Sequence, residues 1–431
     1  MVAGIIIGAS IFVQPSQVTG QVPTPFGVLA VWLLSGLLTL IGALVIAELA
    51  SAWPRTGGVY VFLKEAYGRP LAFLWGWAMF WTMHTGIIAA IAMVCATYVG
   101  TFVPLDAAGT RLVAIGAVAV LTAINVVGVR SASAVQAALA AIKVLAIIGI
   151  IAAAFTLGAA AHARAASAAV AAPPAITLKA FIAAMIAGLF AFGGWHMVSY
   201  AADETVDPTR TIPRALAIGT LLVTALYVAL NAAYLFVLPL AQVSASKHVA
   251  TDLADAIAPL GGGARLVAAL VVLSTLGAAN GVILAGPRVY LAMANDRMLF
   301  SWFAAVHERY RTPHRAILLQ GAWAAILIAT NTFRALFTRV VYTEWIFFAL
   351  LAAALVFLRR RPDYAPAFRL KGYVAWTALF VLSSATIVVT QVVTDPRESA
   401  TGLLLVLSGL PVYYVWSRLN TNPGAVPRAD R

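Results

Sequence analysis

About a dozen long apolar runs follow one another along this 431-residue chain. Each is near the ~20 residues that cross a bilayer as a helix. Hydrophobic residues make up 62% of the sequence and charged residues only 10%, against roughly 25% charged in soluble domains. A chain so poor in charge cannot dress a water-facing surface. Helices satisfy their own backbone in lipid, so these runs predict an all-α polytopic membrane protein of about 12 transmembrane helices in one domain, residues 1–431. The first run leads straight into the others, and no cleavable signal peptide is expected. The net charge of +13 does not imply nucleic acid, because basic residues collect in cytoplasmic loops of membrane proteins.

The expected spans are roughly 2–22, 26–52, 71–101, 112–129 and 134–157, a sixth running into 189–213, then 214–240, 264–294, 315–333, 341–358, 373–393 and 400–418. The segment Val59–Phe62, after the loop 53–58, is expected to dip back against the protein. An Ala-rich connection covers 158–177. The loop before span eight, with Lys247, Asp252 and Asp255, is expected to be partly helical. With the N-terminus inside, the inner segments carry about 18 Lys and Arg and the outer ones about 8. That asymmetry predicts a multi-pass protein with both termini in the cytoplasm. Spans 1–5 and 6–10 then have opposite orientation, so 1–157 and 178–358 are expected to be inverted repeats, with extra helices at 373–418.

Two apolar runs are interrupted at matching places. The first breaks at Gly8-Ala9-Ser10 and the sixth at Gly193-Gly194, between Phe190, Phe192 and Trp195. Each interior glycine costs about 1 kcal/mol against alanine in a helix. Such breaks serve close helix packing or line a cavity, and paired interruptions in two halves point to a transporter's substrate site. Backbone N–H groups at Gly8, Ala9 and Ser10 would open a half-helix N-terminus that favours an anion. Unwound carbonyls near Ile6, Phe190 and Gly193 would suit a cation.

Several stretches together resemble one family: GIIIGASIFVQP (4–15), SGLLTLIGALVIAELASAWPRTGGVYVFLKEAYG (35–68), FAFGGW with ADETVDPTRTIPRA (190–215), and LSTLGAANGVILAGPRVYLAMANDRMLF (273–300). They are similar to the amino acid–polyamine–organocation superfamily, most of all to the L-type amino acid transporters and their bacterial relatives. The resemblance covers nearly the whole chain. It implies a LeuT-type five-plus-five fold with two added helices, and amino acid transport by alternating access in a bacterial inner membrane.

The resemblance also implies roles. Gly8, Ala9 and Ser10 would take the substrate carboxylate, carbonyls near Ile6, Phe190 and Gly193 the ammonium, Gly194 would belong to the same substrate site, and Phe190 would be an aromatic gate. Lys143, about nine residues from either end of its span, is too deep to snorkel. In near relatives a lysine here stands in the place of a sodium ion, and its ammonium is expected to hold a span-one carbonyl near Gly8 and a span-eight hydroxyl such as Ser274. Sodium-independent transport of neutral L-amino acids follows, with an amine, polyamine or cationic amino acid permease as the alternative. Asn280 fits a substrate contact or an interhelical hydrogen bond. His196, where the family usually has Asn, fits a substrate contact or a helix cap.

Two further departures stand out. The family's Gly-Ser-Gly reads Gly8-Ala9-Ser10 here, and only seven residues precede the break, so a short inner half-helix is expected. Glu344 is expected at the membrane interface, with proton coupling as the minor alternative, and Glu48 and Arg288 are expected to be structural. No nucleophile–base pair suggests an enzyme, no cofactor is implied, and the scattered histidines lack metal-ligand spacing. Cys95 is alone and excludes an internal disulfide. No cysteine lies in 102–111, so no disulfide-linked heavy chain is expected. The lipid bilayer and an amino acid are the expected partners.

Overall fold

The computed structural model describes residues 2–8, 10–128, 132–167, 175–258, 262–330 and 333–420. The described residues form helices and connecting turns, with no strand. Nine of the helices are long and apolar enough to cross a membrane, and two shorter apolar helices, His314–Thr330 and Tyr342–Leu358, accompany them. The protein is therefore a multi-pass membrane protein. Its first apolar run is divided into a short helix Val2–Ile6, a 3₁₀ turn Ser10–Phe12 and a helix Gln14–Gln21. The other divided run joins helix Leu178–Ala191 to a 3₁₀ segment Trp195–Glu204.

Without a hydrophobic driving force between helices in lipid, close packing depends on small residues. Pro25–Ala52 and Pro208–Val237 show this: a β-carbon on Gly36 would collide with Thr224. The two divided runs meet in the same way. Gly194 sits at φ +90°, a backbone that L side chains rarely adopt, and a β-carbon there would come 2.8 Å from Ile5 Cγ2. Glycine is what lets the second break lie against the first.

The connections carry their own helices. Val59–Tyr67 follows the 53–58 loop and buries residues Val59 to Leu63 inside the bundle. Leu240–Ala245 and Val249–Ile257 occupy the loop before Gly263–Ala285, and Ala159–Ser167 lies in the Ala-rich connection. Arg69–Val99 contains a π-helical stretch, Met79–Met83. Such stretches frequently mark functional sites.

Candidate functional site

The two breaks open on one cavity of about 510 Å³ of atom-free space, part of it open to the surface. Ile5, Ile6, Gly8 and Ser10 line it from the first run, and Leu189, Phe190, Ala191, Gly193 and Gly194 from the second. The facing wall is Ile87, Ile91, Val282, Glu344 and Trp345. Six of the sequence-derived site residues thus share one chamber: Ile6, Gly8, Ser10, Phe190, Gly193 and Gly194. Ala9 lies outside the described residues.

An interrupted helix leaves carbonyls without intrahelical partners, and in lipid each must be satisfied within the protein. Three side chains serve the first run. Lys143 Nζ donates to Gly4 O and Ile7 O, both at 3.3 Å. The Tyr227 hydroxyl donates to Ile6 O at 3.0 Å and also reaches Ala191 O, in the second run, at 3.2 Å. The Tyr98 hydroxyl donates to Phe12 O at 3.1 Å. Nothing in the sequence singled out Tyr227 or Tyr98; both lie within apolar helices, and their partners are far along the chain.

Lys143 is 4% exposed and faces a second, more apolar cavity that Ser274 also lines. The expected link to Ser274 is not formed: Ser274 Oγ is buried and has no hydrogen-bond partner. The stem of Lys143 rests instead against Gly277, one turn along the same helix. Its charge is spent on the two carbonyls, which point the ammonium at the first run.

Two other candidates fall outside the chamber wall. Asn280 turns away from it, and its Oδ1 accepts from Asn125 Nδ2 at 2.7 Å. Asn125 also donates to Leu121 O, so the amide pair fastens Ala107–Val127 to Gly263–Ala285. His196 is fully buried behind the wall, with its ring among Trp75, Trp195, Tyr200 and Phe348. It neither lines the cavity nor caps a helix, since neither ring nitrogen has a hydrogen-bond partner. The correction that matters most concerns Glu344. Expected at the membrane interface, it is 4% exposed and lines the cavity. Its helix begins at Phe333, eleven residues before it, whereas the apolar run read from the sequence began only at 341.

A set of polar ties joins the 53–58 loop, Val59–Tyr67 and the neighbouring helix ends. Thr56 N donates to Asp203 Oδ2 at 3.0 Å and Gly57 N to Tyr200 O at 3.1 Å, holding the 53–58 loop on the Trp195–Glu204 segment. Lys64 and Tyr60 both donate to Asp296 Oδ2 at 2.6 Å, and burial followed by the Asp296 carboxylate pushes the Tyr60 hydroxyl well above its ordinary range. Arg288 forms a two-point pair with Glu204, each bond 2.8 Å. Arg359 grips the buried Glu48 at 2.7 and 2.6 Å, and Leu370 N and Tyr364 Oη donate to the same carboxylate. The Glu48 hydrogen bond raises the Arg359 pKa further. Among the described residues no cluster of His, Cys, Asp and Glu is placed to hold a metal ion.

A chamber walled by two interrupted helices inside a multi-pass bundle defines a membrane transporter, not an enzyme. The family model described as amino acid permease matches residues 1–416, and the chain belongs to that family, within the amino acid–polyamine–organocation superfamily. It is 30% identical over 417 residues to the serine/threonine exchanger SteT of Bacillus subtilis (strain 168), covering 96% of this chain and 94% of that protein. It is likewise 30% identical to the human large neutral amino acids transporter small subunit 2, over 96% of this chain and 78% of the other. With the human b(0,+)-type amino acid transporter 1 the identity is again 30%, over 96% and 86%.

Proposed function

We propose that this protein moves small or medium neutral L-amino acids across a bacterial inner membrane by alternating access, without sodium. The observation that carries the reading is the meeting of both breaks at one chamber, with Gly8 and Ser10 on one side and Phe190, Gly193 and Gly194 on the other. N–H groups around Gly8 to Ser10 bind the carboxylate, carbonyls of the second break bind the ammonium, and Ile87, Ile91, Val282 and Trp345 receive an apolar side chain. The names of the relatives, among them an exchanger of serine and threonine, support an amino acid substrate. The placement of Lys143 supports sodium independence, since its ammonium already sits on first-run carbonyls.

In this reading the bundle has about 12 spans: two inverted repeats, 1–157 and 178–358, and added helices at 373–418, with both termini cytoplasmic. The 53–58 loop then lies on the cytoplasmic side, and the chain works without a heavy chain. A second reading, a permease for amines or cationic amino acids, is favoured by one observation, the Glu344 carboxylate in the wall. Uptake of labelled serine, threonine, alanine, leucine, arginine and an amine such as agmatine into proteoliposomes, in sodium and in choline, separates them. Neutral amino acids are expected to compete best and sodium to have no effect. A faster rate in sodium removes the role of Lys143; preference for arginine or agmatine selects the second reading.

A further inference from the structure

The cavity that Lys143 faces holds about 450 Å³ of atom-free space between helices Ala132–Leu157 and Gly263–Ala285. It shares no lining residue with the chamber at the breaks. Its walls are aliphatic: Leu139, Ile142, Ala146 and Ile150 from one helix, Leu270 and Leu273 from the other. Ile142 is 49% and Leu273 52% exposed. Both sit in helices long and apolar enough to cross a membrane, so the rim of this cavity faces lipid.

Two polar groups stand among these walls. Lys143 and Ser274 both line the cavity, each 4% exposed. An ammonium has three donors, and Lys143 places two of them on Gly4 O and Ile7 O. No ion pair among the described residues includes it. A helical hydroxyl can bond back to a carbonyl about one turn earlier, as Thr275 does at Val272 O. The Ser274 hydroxyl does not, and it is buried without a partner. Gly277 leaves room beside the ammonium, since a β-carbon there would come 3.2 Å from Nζ.

Buried polar groups are nearly always hydrogen-bonded, and buried charges are paired. The cavity therefore lacks an anion with an acceptor for each donor and an apolar body for the walls. Water supplies acceptors but neither the charge nor the apolar body. A phospholipid chain fills the walls and leaves the ammonium and hydroxyl as they are. Its headgroup stays at the surface, while Lys143 lies eleven residues into its helix, roughly 16 Å along the axis. A zwitterionic amino acid would bring a second ammonium.

We propose that this lateral cavity binds a fatty acid taken from the bilayer, its carboxylate on Lys143 and Ser274. One oxygen accepts the third N–H of the ammonium, and the other accepts from the Ser274 hydroxyl. Bound as the anion, the head forms a neutral pair with Lys143. The chain lies along Ile142, Ala146 and Ile150. The site does not depend on which solute the chamber carries.

The test uses the full-length protein in nanodiscs of phosphatidylcholine and a dodecanoic acid with a diazirine at the far end of its chain. Crosslinks formed on illumination are mapped by peptide mass spectrometry. They are expected within 137–157 and 263–285, and unlabelled dodecanoic acid is expected to suppress them. Dodecanol and dodecylamine are expected to need about tenfold higher concentration or more. Ser274→Ala is expected to weaken suppression by dodecanoic acid about tenfold, and Ala146→Phe, which fills the cavity, to remove the crosslinks. Crosslinks spread over all lipid-facing helices, or retained by Ala146→Phe, overturn the site. Equal suppression by dodecanol makes the cavity an ordinary acyl-chain groove and overturns the proposal as well. If either variant does not fold, the comparison of head groups on wild type still decides.

Discussion

The Tyr227 hydroxyl donates to the Ile6 carbonyl at 3.0 Å, at the point where the first helix is interrupted. The same oxygen lies 3.2 Å from the Ala191 carbonyl at the end of the second. One donor therefore terminates both half-helices. The ring is held by Trp32, edge-on at 5.7 Å, and by Phe192 at 5.0 Å.

Tyr227→Phe keeps the ring and removes the donor, leaving two buried acceptors short. An orphaned buried acceptor costs about 1–3 kcal/mol. The variant is expected to fold, to melt lower in detergent, and to transport roughly tenfold more slowly, as about 1.4 kcal/mol on the barrier implies. Melting and initial uptake on one preparation check this. Uptake at the wild-type rate would show that the breaks hold without their shared donor.

Lys143 bridges Gly4 and Ile7 from another helix, so its loss acts on movement of the first run. Lys143→Ala is expected to reach the membrane in normal amount and transport slowly, at a cost of about 1–3 kcal/mol for the orphaned carbonyls. Lys143→Arg is expected not to rescue fully, because a planar fork replaces a compact charge. Expression level, melting and initial rate are read together. Normal transport by the alanine variant reduces Lys143 to a bystander, and loss of folded protein makes it structural.

Two ion pairs of similar geometry are expected to differ widely in worth. Arg359 pairs with a carboxylate whose side chain is 0% exposed, whereas Glu204, the partner of Arg288, is 58% exposed. Arg359→Ala leaves Glu48 buried and uncompensated, a loss of about 3–5 kcal/mol; little folded protein is expected. Glu204→Gln gives up about 0–1 kcal/mol and is expected to leave melting nearly unchanged. Thermal melting in detergent ranks the two, and equal losses would contradict the burial argument.

The sequence carried the helical class and the positions of both breaks, because apolar length and paired glycines are local signals. It also brought Ile6, Gly8, Ser10, Phe190, Gly193 and Gly194 to one expected site, and these do line one chamber. What it could not carry was direction. In a helix apolar on every face, periodicity does not say which side meets the cavity. Asn280 therefore read equally as a substrate contact and as a partner for another helix, and the geometry turns it to Asn125. Glu344 sat near an expected span end, and only the packed helix shows it inside. Tyr227 and Tyr98 looked like ordinary membrane aromatics, because the carbonyls they satisfy belong to distant residues.

The Thr56–Asp203 and Gly57–Tyr200 bonds have a consequence for how such a machine can be tuned. Any movement of the Trp195–Glu204 segment away from the 53–58 loop breaks these two hydrogen bonds. None of the loop's residues lines the chamber. The latch and the recognition surface thus occupy separate parts of the chain. Under the alternating access proposed above, substitutions at 53–58 are expected to change the rate of transport while the chamber's preference among substrates stays as it was.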